Sequence, residues 1–147
     1  MKTMILYAST HHGNTERVVR AAAEILAADV ADIVKASPPD LSGYDCIGLA
    51  SGIYFGAFHE KIRVWISGAA FGPRQTAFLI YTCGINYTDY TKSIQKQLKE
   101  KGISCVGSFS CRGYDTFGIF GRLGGIAKGR PSDRDLEKAK AFARSLL

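Results

Sequence analysis

Apolar and polar positions alternate along this chain in two rhythms. Short apolar runs at Thr3–Ala8, Tyr44–Ala50, Gln75–Thr82 and Ile103–Ser110 predict strands, and Asp29–Lys35, short and carrying aspartates, predicts an edge strand. Within the second of these runs, Cys46–Ala50 has no polar alternation, which marks a strand covered on both faces. Between the runs the period lengthens. Val18, Ala22, Ile25 and Leu26 recur at helical spacing in Thr15–Ala28, opposite Glu16, Arg17, Arg20 and Glu24. Ile62, Trp65, Ile66 and Ala69 do the same in Phe58–Phe71, with Trp65 expected in the core, and Tyr90, Ile94 and Leu98 in Asp89–Lys101, where Gly102 supplies a left-handed stop. Leu136, Ala139, Phe142, Ala143 and Leu146 mark a last helix, opened by Ser132-Asp133-Arg134-Asp135, which has the form of a capping box. Five strands alternating with four helices predict one domain over residues 1–147, of the α/β doubly wound class: a five-stranded parallel sheet with helices on both faces. With strand order 2-1-3-4-5, ligands bind beyond the C-terminal strand ends, at the switch point between the first and third strands.

Three loops would meet at that rim. Ser9-Thr10-His11-His12-Gly13-Asn14-Thr15 joins the first strand to the first helix and sets hydroxyls, an amide and a glycine beside the unpaired N–H groups of a helix N-terminus, a combination suited to a phosphate dianion. The alternative is that Asn14 or Thr15 only caps the helix. Neither G-x-x-x-x-G-K-[ST] nor G-x-G-x-x-G is present there, which disfavours ATP and dinucleotides. Ser51-Gly52-Ile53-Tyr54-Phe55-Gly56-Ala57 brackets two aromatics between glycines, either a surface for a planar ring or side chains folded back on the core. Cys83-Gly84-Ile85-Asn86-Tyr87-Thr88 adds a third aromatic loop.

Charge and cysteines narrow the function classes. The net charge of +6 comes from the second half, where residues 76–147 hold 12 Lys+Arg against 6 Asp+Glu. The basic residues are scattered among acids without an RNP-like, zinc-finger or helix-turn-helix signature, so nucleic acid is not the expected partner. Cys46, Cys83, Cys105 and Cys111 form no C-x-x-C pair, which argues against zinc and thioredoxin-type chemistry. Cys111, next to a basic glycine-rich tract, is the one thiol to test for reactivity, although no base stands beside it. No apolar run approaches membrane-spanning length and no signal peptide is recognisable, so the expected location is cytoplasmic, without membrane insertion. The long glycine-rich segment up to Pro131 is expected to be functional or mobile.

Ser9-Thr10 followed by Gly13-Asn14-Thr15 after an apolar first strand resembles the phosphate loop of flavodoxins, with His11-His12 where one residue is usual. The likeness runs over essentially the whole chain and implies a flavodoxin-like fold of the short-chain type, with FMN as cofactor. By this resemblance Ser9, Thr10, His11, His12, Gly13, Asn14 and Thr15 hold the FMN phosphate. Ser51, Gly52, Tyr54, Phe55 and Gly56, with Thr82, Cys83, Gly84, Asn86 and Tyr87, complete the cofactor site. Among them Tyr54, Phe55 and Tyr87 stack on or edge the isoalloxazine, and the carbonyl of Gly56 or of Gly52 turns toward flavin N5. The resemblance implies no catalytic side chain and no metal. The implied role is a low-potential electron carrier between redox proteins; the alternative is an FMN-dependent reductase of a quinone or other small molecule, roofed by residues 113–130. A receiver-like domain without flavin would want acids where Tyr7-Ala8-Ser9 and Leu49-Ala50-Ser51 stand. Flavodoxins are usually acidic and this chain is basic, so the expected partner is an acidic redox protein meeting Arg112, Arg122, Lys128 and Arg130 at the rim. The alternative is that these cations pair locally with Asp115, Asp133 and Asp135.

Overall fold

All six residues of β1 (Thr3–Ala8) are buried, because this strand runs through the middle of the sheet with helices on both sides. A computed structural model describes residues 1–10, 12–116 and 119–147, with Ile119 and Phe120 described in their backbone alone. After β1 come α1 (Asn14–Leu26), β2 (Asp29–Asp32), β3 (Cys46–Tyr54), β4 (Ala57–Phe58), α2 (Glu60–Gly68) and β5 (Thr76–Cys83). The chain continues with α3 (Lys92–Glu100), β6 (Ser104–Arg112), the one-turn α4 (Ile119–Arg122) and α5 (Asp133–Ser145). The parallel strands lie in the order β2-β1-β3-β5-β6, which is the expected doubly wound sheet. Neighbouring strands end at one level: Ala8 pairs with Ser51, Gly52 with Thr82 and Cys83 with Arg112, so their following loops emerge on a common rim.

Two apolar layers hold the sheet. On one face Met4, Leu6, Ile47, Leu49 and Leu79 pack against Ile62 and Ile66 of α2 and Ile94 and Leu98 of α3. On the other, Ile5, Ala50, Phe78 and Ile80 pack against Val18, Val19 and Ala22 of α1 and Ala139 and Ala143 of α5. Each fully buried Leu, Ile or Phe contributes about 1.5–3 kcal/mol relative to exposure. Gly48 is required by packing: a Cβ there would lie 2.5 Å from the Phe78 ring.

The structure corrects several expected boundaries. The strand expected to end at Ala50 runs to Tyr54, because Ser51 and Gly52 still pair with β5, and Ile53 and Tyr54 then pair antiparallel with β4. A sixth, two-residue strand therefore stands where a loop was expected. Phe58 lies in β4 and His59 caps α2 by accepting a hydrogen bond from the Lys61 N–H, so the expected helix at Phe58–Phe71 is shortened to Glu60–Gly68. Trp65 is half-buried, edge-on to Phe71 at 5.7 Å, at the margin of the core. The edge strand stops at Asp32, whose carboxylate accepts from the N–H groups of Val34 and Lys35 and turns the chain. The helix expected from Asp89 starts at Lys92, since Asp89 accepts from both the N–H and the hydroxyl of Thr91. The capping box Ser132–Asp135 and the left-handed Gly102 are as expected. Among the described residues no helix is long and apolar enough to cross a membrane.

Candidate functional site

The phosphate-loop candidate is a strained turn. His12 (φ 56°) and Gly13 (φ 65°) are both left-handed, and this conformation hands the chain from β1 into α1 with Gly13, which has no side chain to cap with, at the N-cap. Ser9 Oγ accepts from the Glu16 N–H at 3.3 Å. Among the described residues no partner is seen for the N–H groups of Gly13, Asn14 or Thr15. The Thr10 N–H and hydroxyl instead meet the Tyr54 hydroxyl, at 3.3 and 2.6 Å. The Thr15 hydroxyl is buried against that of Thr82 at 2.8 Å, tying the helix start to the end of β5. His11 lies outside the described residues.

From this end a cleft runs along the strand ends. A cavity of about 60 Å³ is lined in part by Ser9, Asn14, Thr15, Gly52, Thr82 and Tyr114. It shares Ile53, Cys83, Gly84 and Asp115 with a second cavity of about 250 Å³ that Phe55, Gly56, Ile85, Tyr87 and Tyr90 surround. Phe55 and Gly56 form the two-residue turn between β3 and β4, both with positive φ (50° and 78°), the geometry of a type I′ hairpin. That turn throws the Phe55 ring outward, 89% exposed, and Tyr87 across the cleft is 77% exposed. Gly52, Tyr54, Phe55, Gly56, Cys83, Gly84 and Tyr87 are thus brought together with the phosphate-loop candidate. Ser51 and Asn86 serve the loops instead: Ser51 accepts from the His59 N–H and donates to the Gly52 carbonyl, and Asn86 bonds Tyr81 and Ser110.

Sequence reasoning brought the 113–130 segment to this rim as a roof in the reductase alternative, but it named none of Gly113, Tyr114, Asp115 and Thr116 as site residues. Beyond β6 the Gly113 N–H donates to the Cys83 carbonyl at 2.9 Å, and the Asn14 amide donates to the Tyr114 carbonyl at 2.8 Å. His12 Nε2 shares a 2.8 Å hydrogen bond with the Thr116 hydroxyl, and its ring packs on Tyr114 at 4.6 Å. Asp115 exchanges two backbone hydrogen bonds with Ile126, and Tyr114 donates from its N–H to the Arg130 carbonyl, so the two ends of this strap are paired at its neck. Two glycines permit it: a Cβ on Gly113 would lie 2.6 Å from the Asn14 amide, and one on Gly84 would lie 2.5 Å from the Asp115 carboxylate. Glycine at both positions is the local signal that could have pointed there.

Electrostatics separates the cations. Arg130 does not reach toward the cleft edge; it forms a two-pronged pair with Asp135 at 2.5 and 2.8 Å, the local pairing weighed against a docking role. Burial would raise the Asp135 carboxyl pKa, but Arg130 and the Ser132 N–H and hydroxyl outweigh it and hold it below its usual value. Arg112 donates to the Gly84 carbonyl at 2.8 Å, whereas Arg122 and Lys128 are exposed on the strap. Burial pushes the Cys83 thiol up to about 11 and Cys111 up to about 12, so neither is a nucleophile near neutral pH. Among the described residues no group of three or more His, Cys, Asp or Glu could hold a metal ion.

The flavodoxin-domain family model matches residues 4–122, from β1 through the strap's helix. The chain belongs to the flavodoxin family. A protein of Methanocaldococcus jannaschii described as uncharacterized is 41% identical over 149 residues, covering all of this chain and 99% of its own length. Flavodoxin 2 from Bacillus cereus superposes with a TM-score of 0.73 at 17% identity, over 99% of this chain and 97% of its own. Rubredoxin oxygen:oxidoreductase of Desulfovibrio gigas matches 97% of this chain with about a third of its length, 34%, at a TM-score of 0.73 and 15% identity. At such identities these two structures show the fold. Membership of the flavodoxin family implies FMN as cofactor, and this chain's own donor set fits that ligand's phosphate: N–H groups at the α1 terminus for which no partner is seen among the described residues, and Thr10 and Ser9 hydroxyls beside them.

Proposed function

We propose that this flavodoxin is a low-potential electron carrier between redox proteins, with FMN lying along the cleft. FMN supplies one-electron chemistry when bound. In this reading Ser9, Thr10, His12, Gly13, Asn14 and Thr15 take the phosphate, and Phe55 and Tyr87 flank the isoalloxazine. Gly52, Tyr54, Gly56, Thr82, Cys83 and Gly84 form the walls between, with Gly113, Tyr114 and Asp115 added from the strap. The observation that carries it is the asymmetry of the cleft: the end at Thr15 and Thr82 is buried, while the end at Phe55 and Tyr87 is open to solvent. A carrier needs its cofactor held at one end and approachable at the other. The partner is an acidic redox protein, and exposed Arg122 and Lys128 supply attraction and orientation at modest cost to dissociation.

A reductase of a quinone or other small molecule is the second reading, and the strap favours it. Asp115 lines the cavity beside Phe55 and Tyr87, and Gly113 and Tyr114 line the adjoining one, as the edge of a roof over a small substrate would. Anaerobic reductive titration of the FMN-loaded protein separates the two. The carrier accumulates a one-electron-reduced species and turns over slowly with soluble quinones; rapid quinone turnover without that species overturns the carrier.

A further inference from the structure

The Tyr54 hydroxyl lies in the phosphate cradle itself. It accepts from the Thr10 N–H at 3.3 Å and shares a 2.6 Å hydrogen bond with the Thr10 hydroxyl. Its ring lies over Gly52, where a Cβ would come within 3.1 Å of the phenol oxygen, and stands edge-on to His59 at 5.1 Å. The side chain is therefore seated, with glycine beneath it and an imidazole beside it, and it lines the same small cavity as Ser9, Asn14 and Thr15.

We infer that Tyr54 is a specificity-determining residue of the phosphate end: its hydroxyl competes with the ligand's phosphate for the Thr10 donors. The inference rests on reading the cradle as the FMN phosphate site. A phenol oxygen is a neutral acceptor, whereas a phosphate dianion makes charge-assisted hydrogen bonds roughly twice as strong. A dianion therefore gains by the exchange, and a neutral hydroxyl does not. Tyr54 sets a threshold that weak acceptors fail to pass. The displaced phenol remains on β3, next to the left-handed Phe55–Gly56 turn at the open cavity.

Calorimetric titration of wild-type and Tyr54→Phe proteins with FMN, riboflavin and inorganic phosphate tests this. With one hydrogen-bonded competitor removed, FMN and inorganic phosphate each bind the variant roughly three- to tenfold more tightly. Riboflavin, which leaves the Thr10 donors alone, binds both proteins equally. The competitor role is overturned by a variant affinity for FMN that is unchanged or weaker, in a protein whose wild type prefers FMN to riboflavin. A wild type that holds FMN no better than riboflavin overturns the phosphate-site reading instead, whatever the variant does.

Discussion

At one end of the cleft Asn14, Thr15, Thr82 and Gly113 are buried and joined through hydrogen bonds that connect α1, β5 and the strap; at the other, Phe55 on the β3–β4 turn and Tyr87 on the loop after β5 stand 89% and 77% exposed. The same sheet rim carries both. The closed end draws on long-range partners, since Asn14 and Tyr114 are 100 residues apart, while the open end draws on local turn geometry, Phe55–Gly56 being a two-residue loop. The contrast teaches a division of labour: substitutions at the closed end act on stability and cofactor retention together, and those at the open end act on ring contacts with little stability cost.

The largest expected effect is at the base of the strap. Asp135→Ala removes the Arg130 pair and the capping box, a loss of about 3 kcal/mol in denaturant unfolding. Because the folded Asp135 pKa lies below its unfolded value, its contribution is present above about pH 4 and is lost as pH falls through the folded pKa. The variant's stability should therefore fall less on acidification. Next, Thr82→Val leaves the buried Thr15 hydroxyl without its partner and costs about 1–2 kcal/mol, with weaker FMN binding. At the open end Phe55→Asn goes the other way: asparagine tolerates the left-handed turn, so thermal stability rises by about 0.5–1 kcal/mol while FMN affinity falls. A Phe55→Asn protein as destabilised as Thr82→Val would break the contrast.

The smallest effect belongs to His59, between the ends. Burial first, then Lys61, lowers its pKa, with Arg63 in the same direction and Glu60 and Asp32 opposing. Stability is full above the unfolded value of 6.5 and declines as pH falls below it, since protonation takes Nδ1 from the Lys61 N–H. His59→Asn, which retains a cap acceptor, should flatten the stability profile between about pH 7.5 and 5.5.

Much of the scaffold was legible because its signals are local. The apolar run of β1, the helical stripe of Val18, Ala22 and Leu26 and the Ser132–Asp135 box each lie within one element, and all stand where the pattern placed them. The strand-to-helix turn of the phosphate-loop candidate was legible for the same reason, since the end of β1, the glycine and the start of α1 follow one another in sequence. The extension of β3 was not, since Ser51 and Gly52 have weak strand preference and are held by pairing with β5. The strap was legible as a glycine-rich segment at the rim, but not its seating: Tyr114, Asp115 and Thr116 are held by contacts with Asn14, Ile126 and His12 that no sequence period encodes. Arg130 shows the same limit: docking at the rim was expected of it and local pairing was the alternative, and the structure pairs it with Asp135.

The most direct test of the account is the affinity of the wild-type protein for FMN against riboflavin, measured by quenching of flavin fluorescence. A closed end built to hold a phosphate through several N–H and hydroxyl donors predicts a preference for FMN of about a hundredfold or more, since each charge-assisted bond contributes about 1.5–3 kcal/mol. Equal affinity for the two flavins would contradict it.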